Sequence, residues 1–138
     1  SDADNVICVG ASSAKLGDEL AASFTNYGKK NVDIFAPGVK VTSIDKDAEF
    51  NTEDGTSFSS PITAGIAALI LEYYPDLSAK QLKQVILASA TPLNGTMVLK
   101  PGSKTDKVDF ASLSKTGGIV NAYKAIELAS KLKGERKK

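Results

Sequence analysis

The stretch Gly55-Thr56-Ser57-Phe58-Ser59-Ser60-Pro61-Ile62 lies where an acidic segment meets an uncharged one, and it decides how the rest of the chain is interpreted. From Thr56 to Leu71 there is no charged residue, and large apolar residues recur at helical spacing: Ile62, Ile66, Leu69, Ile70 and Tyr73. The faces between them carry small residues. We therefore expect a helix that is buried on all sides and ends at Tyr74-Pro75.

Ser57 lies at the predicted entrance of this helix, where free N–H groups and the positive end of the helix dipole favour a developing negative charge. Gly55 gives the backbone freedom for a sharp turn before it. Pro61 has no N–H to donate to the carbonyl of Ser57, which loosens the first turn. These features suit a nucleophile whose own N–H helps to form an oxyanion hole. Ordinary N-capping by Thr56 or Ser57 is the structural alternative, and local chemistry alone favours it.

Composition excludes several kinds of site. The chain has 138 residues, which suits one domain, and it contains no histidine. No histidine zinc site, Ser-His dyad or Cys-His dyad can therefore form within it. The single cysteine, Cys8, excludes an internal disulfide. A net charge of +1 gives no field that would favour nucleic acid or an anionic membrane, and neither a membrane span nor a signal peptide is visible.

Strands are expected on both sides of the uncharged helix. The continuous apolar run Val6–Val9 is typical of a strand covered on both faces, as in a parallel sheet under helices. Further strands are predicted at 32–36 and 39–44, and a short pair is predicted from 97–99 and 108–110. The acidic run 45–54 is interpreted as a solvated loop, with an ion site or an acidic cleft rim as the less favoured alternative.

Two more helices have clear start signals. Ser78 with Gln81 three residues later forms a capping-box pattern, and Thr91-Pro92 ends the helix that follows. Asn121 is placed to cap a last amphipathic helix. The segment Gly10-Ala11-Ser12-Ser13 lacks both the G-x-G-x-x-G pattern and a P-loop lysine, so nucleotide binding has little support.

The run from Gly55 to Ile70 strongly resembles the nucleophile segment of the subtilisin-like serine proteases, the subtilases. Four further blocks are similar to segments of that family. They follow the family's order across nearly the whole chain, and five ordered blocks are far more specific than one G-T-S. The four blocks are the buried strand Val6–Ala11, the A-S-F-S-x-x-G turn at Ala22–Gly28, the D-x-x-A-P-G strand end at Asp33–Gly38, and the closing G-x-x-N-A at Gly118–Ala122.

The resemblance implies that Ser57 is the catalytic serine and that its backbone N–H forms half of the oxyanion hole. It places Gly55 and Thr56 beside the cleft, and Pro61 serves the structure of the site. Ile62 stands where the family commonly has a histidine that is not the general base. In the family, the catalytic aspartate, the histidine base and the oxyanion asparagine all come earlier in the chain than the segments matched here.

The resemblance therefore implies that residues 1–138 form the C-terminal portion of a subtilase catalytic domain, an α/β three-layer fold with a mostly parallel sheet flanked by helices. We expect the parent protein to be a serine endopeptidase that hydrolyses peptide bonds through an acyl-enzyme. We expect this chain alone to be inactive, because it lacks a base to activate Ser57. The alternative is a non-catalytic half-domain that acts as an assembly module, either as a homodimer or by complementation with an N-terminal half.

The remaining expectations come from the family as well. The partners are a polypeptide substrate and the missing N-terminal part of the domain, and the location is outside the cell or in the cell envelope. No cofactor is expected from the residues themselves. Subtilases often bind calcium, and Asp33 and the carboxylates of 45–54 are the local candidates for such a site.

Overall fold

A computed structural model describes residues 5–13, 17–38, 41–44, 50–53 and 56–136, and for residues 18, 41–44, 50–53 and 56–58 it describes the backbone. Short 3-10 helices occur at Gly17–Glu19 and Phe110–Leu113. The three α-helices are α1 (Thr56–Tyr73), α2 (Ala79–Ala88) and α3 (Ala122–Ala129). The strands are β1 (Val9–Ser12), β2 (Ile34–Pro37), β3 (Val41–Ile44), β4 (Phe50–Glu53), β5 (Thr91–Pro92), β6 (Met97–Leu99), β7 (Lys107–Asp109) and β8 (Gly118–Ile119).

The central sheet has the strand order β1-β2-β8-β5. Strands β1 and β8 both run parallel to β2, whereas β5 pairs antiparallel with β8. Two antiparallel hairpins, β3–β4 and β6–β7, stand apart from this sheet. The architecture is an α/β fold built on a mostly parallel sheet, which confirms the predicted fold class.

Successive residues of β2 point to opposite faces of the sheet and define two hydrophobic clusters. Ile34 packs in the cluster of the three α-helices, with Ile70 of α1, Val85 of α2 and Ala125 of α3. Phe35 packs on the opposite face, where the cover comes from the two 3-10 segments and the β6–β7 hairpin. Its ring lies 4.9 Å from that of Phe110. The described α-helices therefore share one face of the sheet.

Two glycines of the family-like blocks are required by close packing. A Cβ at Gly10 in β1 would lie 2.8 Å from the Phe35 ring. A Cβ at Gly118 in β8 would collide with the backbone carbonyl of Thr91 in the neighbouring strand. Any larger residue at either position would push apart elements that hold the sheet together.

Several predicted boundaries are confirmed. Ser78 and Gln81 form both hydrogen bonds of the capping box at the start of α2. The Asn121 side chain accepts from the Lys124 N–H and caps α3. Met97–Leu99 pairs with a strand as predicted, although that strand is Lys107–Asp109 and Phe110 already belongs to a 3-10 helix.

Other predictions need correction. The first strand is Val9–Ser12, because pairing with β2 only starts where the Cys8 carbonyl accepts from Asp33 and Ile34, and Val6 is exposed. The loop predicted at 45–54 is wrong for Phe50–Glu53, which pairs with Val41–Ile44 as β4. Residues 45–49 and 54, like 39–40 of the predicted third strand, lie outside the described residues.

The expectation that α1 is buried on all sides is wrong. Its buried side includes Ser59, Thr63 and Ile70. A second stripe along the helix is exposed: Pro61, Ala64, Gly65, Ala68, Leu69, Glu72 and Tyr73. Leu69 and Tyr73, predicted as part of the buried stripe, are 38% and 65% exposed. Among the described residues nothing covers this side of the helix, which explains the difference.

Gln81 holds the C-terminal segment in addition to capping α2. Its Oε1 accepts from the backbone N–H of Ser78 and of Glu135, and its Nε2 donates to the Lys133 carbonyl at 2.8 Å. The Arg136 N–H donates in turn to the Asp76 carbonyl. One side chain therefore links the start of a helix to Lys133 and Glu135.

Replacing Gln81 with alanine is expected to lower the free energy of unfolding by about 2 kcal/mol, because the side-chain half of the capping box and the tail contacts are lost together. Gln84→Ala is the matched control, since Gln84 is exposed on the same helix. Urea denaturation measures the stability, and limited trypsin digestion near Lys133 reports release of the tail. Equal stability and equal digestion of the two variants would contradict the role given to Gln81.

Candidate active site

Helix α1 begins beside the carboxyl ends of the parallel strands. The Ser59 hydroxyl, which is fully buried, lies 3.0 Å from the carbonyl oxygens of Ala36 and Pro37, the last two residues of β2. Strand β1 ends level with β2, and the Gly38 N–H donates to the Ser12 carbonyl across the two strand ends. In α/β sheets, ligands bind at the carboxyl ends of the parallel strands. The fold therefore places the start of α1 where a ligand site is expected.

A second side-chain hydrogen bond reinforces the first turns of α1. Pro61 removes one N–H from the helix, yet the helix is continuous from Thr56 to Tyr73. The Thr63 hydroxyl is buried and donates to the Ser59 carbonyl at 3.0 Å. The segment is thus tied both to itself and to β2, which fixes the position of the helix entrance relative to the sheet.

The structure places the predicted site residues as follows. Thr56 and Ser57 are the first two residues of α1, and Pro61 is an exposed residue one turn further on. Since Ser57 lies in the first turn, its backbone N–H has no acceptor within the helix. Gly55 lies outside the described residues, as do the side chains of Thr56 and Ser57.

The family-like turn Ala22–Gly28 lies along the outer edge of β1. The Ala11 N–H donates to the Thr25 hydroxyl at 2.7 Å, and the Ala22 N–H donates to the Ala11 carbonyl. Thr25 is buried and donates onward to the Asn26 carbonyl. Three of the five sequence blocks, the turn, β1 and the end of β2, therefore converge with the start of α1 at one end of the sheet.

A groove of about 240 Å³ opens on the flank of α1, between the edge strand β1 and helix α2. Its walls are mostly apolar, with one cationic side chain, and include Ile7, Val9, Thr63, Ala67, Leu82 and Lys83. Alternation along β1 turns the backbone of Val9 outward, to the same side as that of Ala11. In the described part of the sheet β1 is the edge strand. The turn covers its edge from Ala11 onward, so the groove adjoins the Val9 end of that edge.

The calcium expectation can be tested at Asp33. That residue is buried at the start of β2, where its Oδ2 accepts from the Cys8 N–H at 2.9 Å and lies 3.9 Å from the Lys83 Nζ. Calcium requires about six to eight oxygen ligands, and neither an N–H group nor an ammonium is a ligand. No group of three or more metal-binding side chains occurs among the described residues, and 45–49 and 54 lie outside them. The described partners of Asp33, an N–H group and an ammonium, do not fit calcium.

Sequence reasoning identified Ser59 only as a small residue after the nucleophile. Its anchoring role had a signal in the sequence, since Ser59 and Thr63 are polar and share the buried side of the helix with Ile66 and Ile70. The groups that accept the hydrogen bond of Ser59 could not be predicted from the sequence in the same way. The carbonyls of Ala36 and Pro37 lie more than twenty residues earlier in the chain.

Within the part of the chain that the structure describes, no helix has the length and apolar character needed to cross a membrane.

Comparisons with known proteins agree with this geometry. Two solved structures superpose on the chain with a TM-score of 0.70 and 28% identity: the subtilase cytotoxin SubAB, and the A-subunit of the AB5 toxin from E. coli. Each superposition covers 91% of this chain, but 37% and 38% of the respective structures.

Curated relatives give the same result from sequence. The serine protease AprX of Bacillus subtilis is 39% identical over 106 residues, covering 60% of this chain and 24% of AprX. An extracellular serine proteinase of a Thermus strain is 40% identical over 88 residues, covering 62% of this chain and 20% of that protein. The chain therefore spans about a quarter or less of these two relatives.

The family model described as the subtilase family matches residues 1–117, from before β1 to the residue preceding β8. This match includes the strand ends, the turn and the helix entrance that converge at the candidate site. The chain belongs to the subtilase family.

Proposed function

We propose that this chain carries the nucleophile part of a serine endopeptidase active site, with Ser57 as the attacking residue. The observation that carries the proposal is the position of Ser57, the second residue of a helix whose entrance is anchored to the carboxyl end of β2. Gly55 and Thr56 would flank the cleft, and Pro61 would leave the carbonyl of Ser57 without its helical partner. A polypeptide is the substrate.

In the proposed reaction, the Ser57 Oγ attacks the carbonyl carbon of a peptide bond and its proton passes to a base. The backbone N–H of Ser57 stabilises the oxyanion of the tetrahedral intermediate. The C–N bond then breaks, the amine leaves with the proton, and water later hydrolyses the ester on Ser57. The chain contains no histidine, so the base comes from another segment, which the family resemblance places earlier in the sequence.

The proposal assigns residues 1–138 to the C-terminal portion of a catalytic domain. Matches that cover less than two fifths of the related structures support this assignment. The name of the Thermus relative, an extracellular proteinase, supports a location outside the cell. The 138-residue polypeptide alone is proposed to be inactive, because a serine hydroxyl without a base is a weak nucleophile near neutral pH.

The purified chain is expected to give no turnover of a chromogenic peptide above the buffer blank. Turnover is expected when the chain is joined to the upstream segment of a subtilase catalytic domain that carries the aspartate and the histidine. The same joined polypeptide with Ser57→Ala serves as the control for background hydrolysis. Turnover by the unjoined chain that disappears in its own Ser57→Ala variant would contradict the proposed inactivity.

A second candidate function, assembly through exposed surface, is favoured by the uncovered side of α1. Ala64, Ala68 and Leu69 form a largely apolar stripe on that side, and the turn leaves the Val9 end of the edge strand β1 uncovered next to the groove. Both features suit a complementary half-domain that adds a strand and covers the helix. A homodimer through the same surface is the alternative occupant.

Sedimentation equilibrium separates these two occupants. Complementation predicts a monomeric chain that forms a one-to-one complex with a separately produced upstream segment. Ala68→Lys should weaken this complex, because it places a charge in the stripe, whereas Lys80→Glu on the exposed face of α2 should not. A stable dimer of the chain that Ala68→Lys dissociates would instead support the homodimer. A monomer that ignores the upstream segment would contradict both.

A further inference from the structure

Asp33 and Lys83 form a buried ion pair that joins the start of β2 to helix α2. Their side chains are 5% and 12% exposed, and the Lys83 Nζ lies 3.9 Å from the Asp33 Oδ2. The same carboxylate oxygen accepts from the Cys8 N–H. Among the described residues, the negative charge of Asp33 thus has two partners, one an N–H dipole and the other a full positive charge.

We propose that Lys83 takes the place that a bound cation would fill at Asp33, so that this part of the fold is stable without metal. A buried carboxylate needs a compensating charge, since leaving it unpaired in a medium of low polarity is costly. The ammonium and the Cys8 N–H both lie at the Asp33 Oδ2, and neither of them can serve as a calcium ligand. The chain supplies its own counterion instead.

The pair has a structural consequence beyond charge. Lys83 lines the groove between α2 and the edge strand β1, and its ammonium lies beside the carboxylate that precedes β2, so the pair links the helix layer to the sheet. The backbone N–H of Cys8 is fixed to the same carboxylate, which aligns the residues leading into β1. Loss of the lysine charge should therefore destabilise the fold and disturb this edge.

The first experiment is a double-mutant cycle followed by thermal unfolding of the purified protein in EDTA. Lys83→Met should lower the Tm by about 10 °C, because it leaves the carboxylate buried without a counter-charge. Lys83→Arg should retain most of the Tm, and Lys80→Met is the matched control on the exposed face of the same helix. Asp33→Asn combined with Lys83→Met should recover at least half of the loss, since both charges are then absent while the amide can still accept from Cys8.

The second experiment measures the response to calcium. The change of Tm between 5 mM calcium chloride and 5 mM EDTA should be measured for the unsubstituted protein and for the Asp33→Asn variant. The two changes should agree to within about 1 °C. Comparing the two proteins removes the effect of any calcium bound elsewhere. A calcium-dependent rise of Tm that Asp33→Asn abolishes would overturn the proposal. A double variant no more stable than Lys83→Met would overturn it as well.

Discussion

Replacing Ser57 with alanine is expected to lower kcat/KM for a peptide substrate by about 10⁴-fold or more in a polypeptide that contains the complete catalytic domain. The substitution removes the oxygen that forms the acyl-enzyme and leaves the helix entrance and its N–H groups in place. Binding of the peptide should therefore change little. The rate that remains should be the slow hydrolysis that the domain supports when its base is present and its nucleophile is absent.

Ser60→Ala is the matched control for this prediction. Ser60 lies in the same helix and is exposed, and the substitution removes the same hydroxyl group. The activity of this variant should therefore stay within about twofold of that of the unsubstituted protein. A sulfonyl fluoride reagent provides a second measurement, because it should label Ser57 and leave the Ser57→Ala variant unmodified, as read by mass spectrometry of the peptide containing residue 57.

The experiment also tests the ordinary alternative, in which Ser57 only caps α1. A lost N-cap costs about 1 kcal/mol of stability and leaves chemistry intact. A cap would therefore appear as a lowered Tm with nearly unchanged kcat. The nucleophile would appear as lost kcat with a nearly unchanged Tm, and the first of these outcomes would contradict the assignment.

The elements that the sequence predicted best have their determinants close together in the chain. Ser78 and Gln81 define the start of α2 through two hydrogen bonds that span three residues, and Asn121 caps α3 in the same local way. The short pair at Met97–Leu99 followed from the length of the intervening segment. Such signals are local, so tertiary packing does not override them.

The predictions that failed depended on distant partners. The acidic run 45–54 suggested a loop, but pairing with Val41–Ile44 makes Phe50–Glu53 a strand. The side chains of α1 predicted burial on every face, yet burial depends on what packs against a helix, and one side of α1 is exposed. The apolar residues of α1 show which surface the helix is able to bury. Within the described residues, only part of that surface is buried.

The candidate site likewise combines a feature that nearby residues determine with one that depends on distant residues. The position of Ser57 at a helix entrance could be predicted from Gly55, Pro61 and the uncharged run that follows. The anchoring of that entrance could not, because it depends on the carbonyls at the end of β2. The sequence pattern thus predicts Ser57 as the reacting residue, and the tertiary structure shows how Ser59, two residues later, is bonded to β2.

Removing the Ser59 hydroxyl is the second change with a large expected effect, and it tests whether that anchoring matters for catalysis. The hydroxyl is fully buried and contacts two carbonyl oxygens of β2. Ser59→Ala should lower the free energy of unfolding by about 1–2 kcal/mol, since buried acceptors lose a donor. The larger effect should be kinetic. Ser59 is two residues from Ser57, and a shift of the nucleophile by a fraction of an ångström to 1 Å costs about 10–100-fold in rate.

The kinetic signature distinguishes a positioning residue from a merely structural one. If Ser59 positions the nucleophile, kcat should fall by about 10–100-fold while KM changes by less than about threefold, measured at a temperature well below the Tm of the variant. Gln81→Ala provides the comparison, because it loses a similar amount of stability far from the helix entrance and should keep its kcat. If both variants lose stability and both keep kcat, the bond from Ser59 to β2 stabilises the fold without aligning Ser57. Ser60→Ala should leave both quantities unchanged, because its exposed side chain lies next to the anchor without forming part of it.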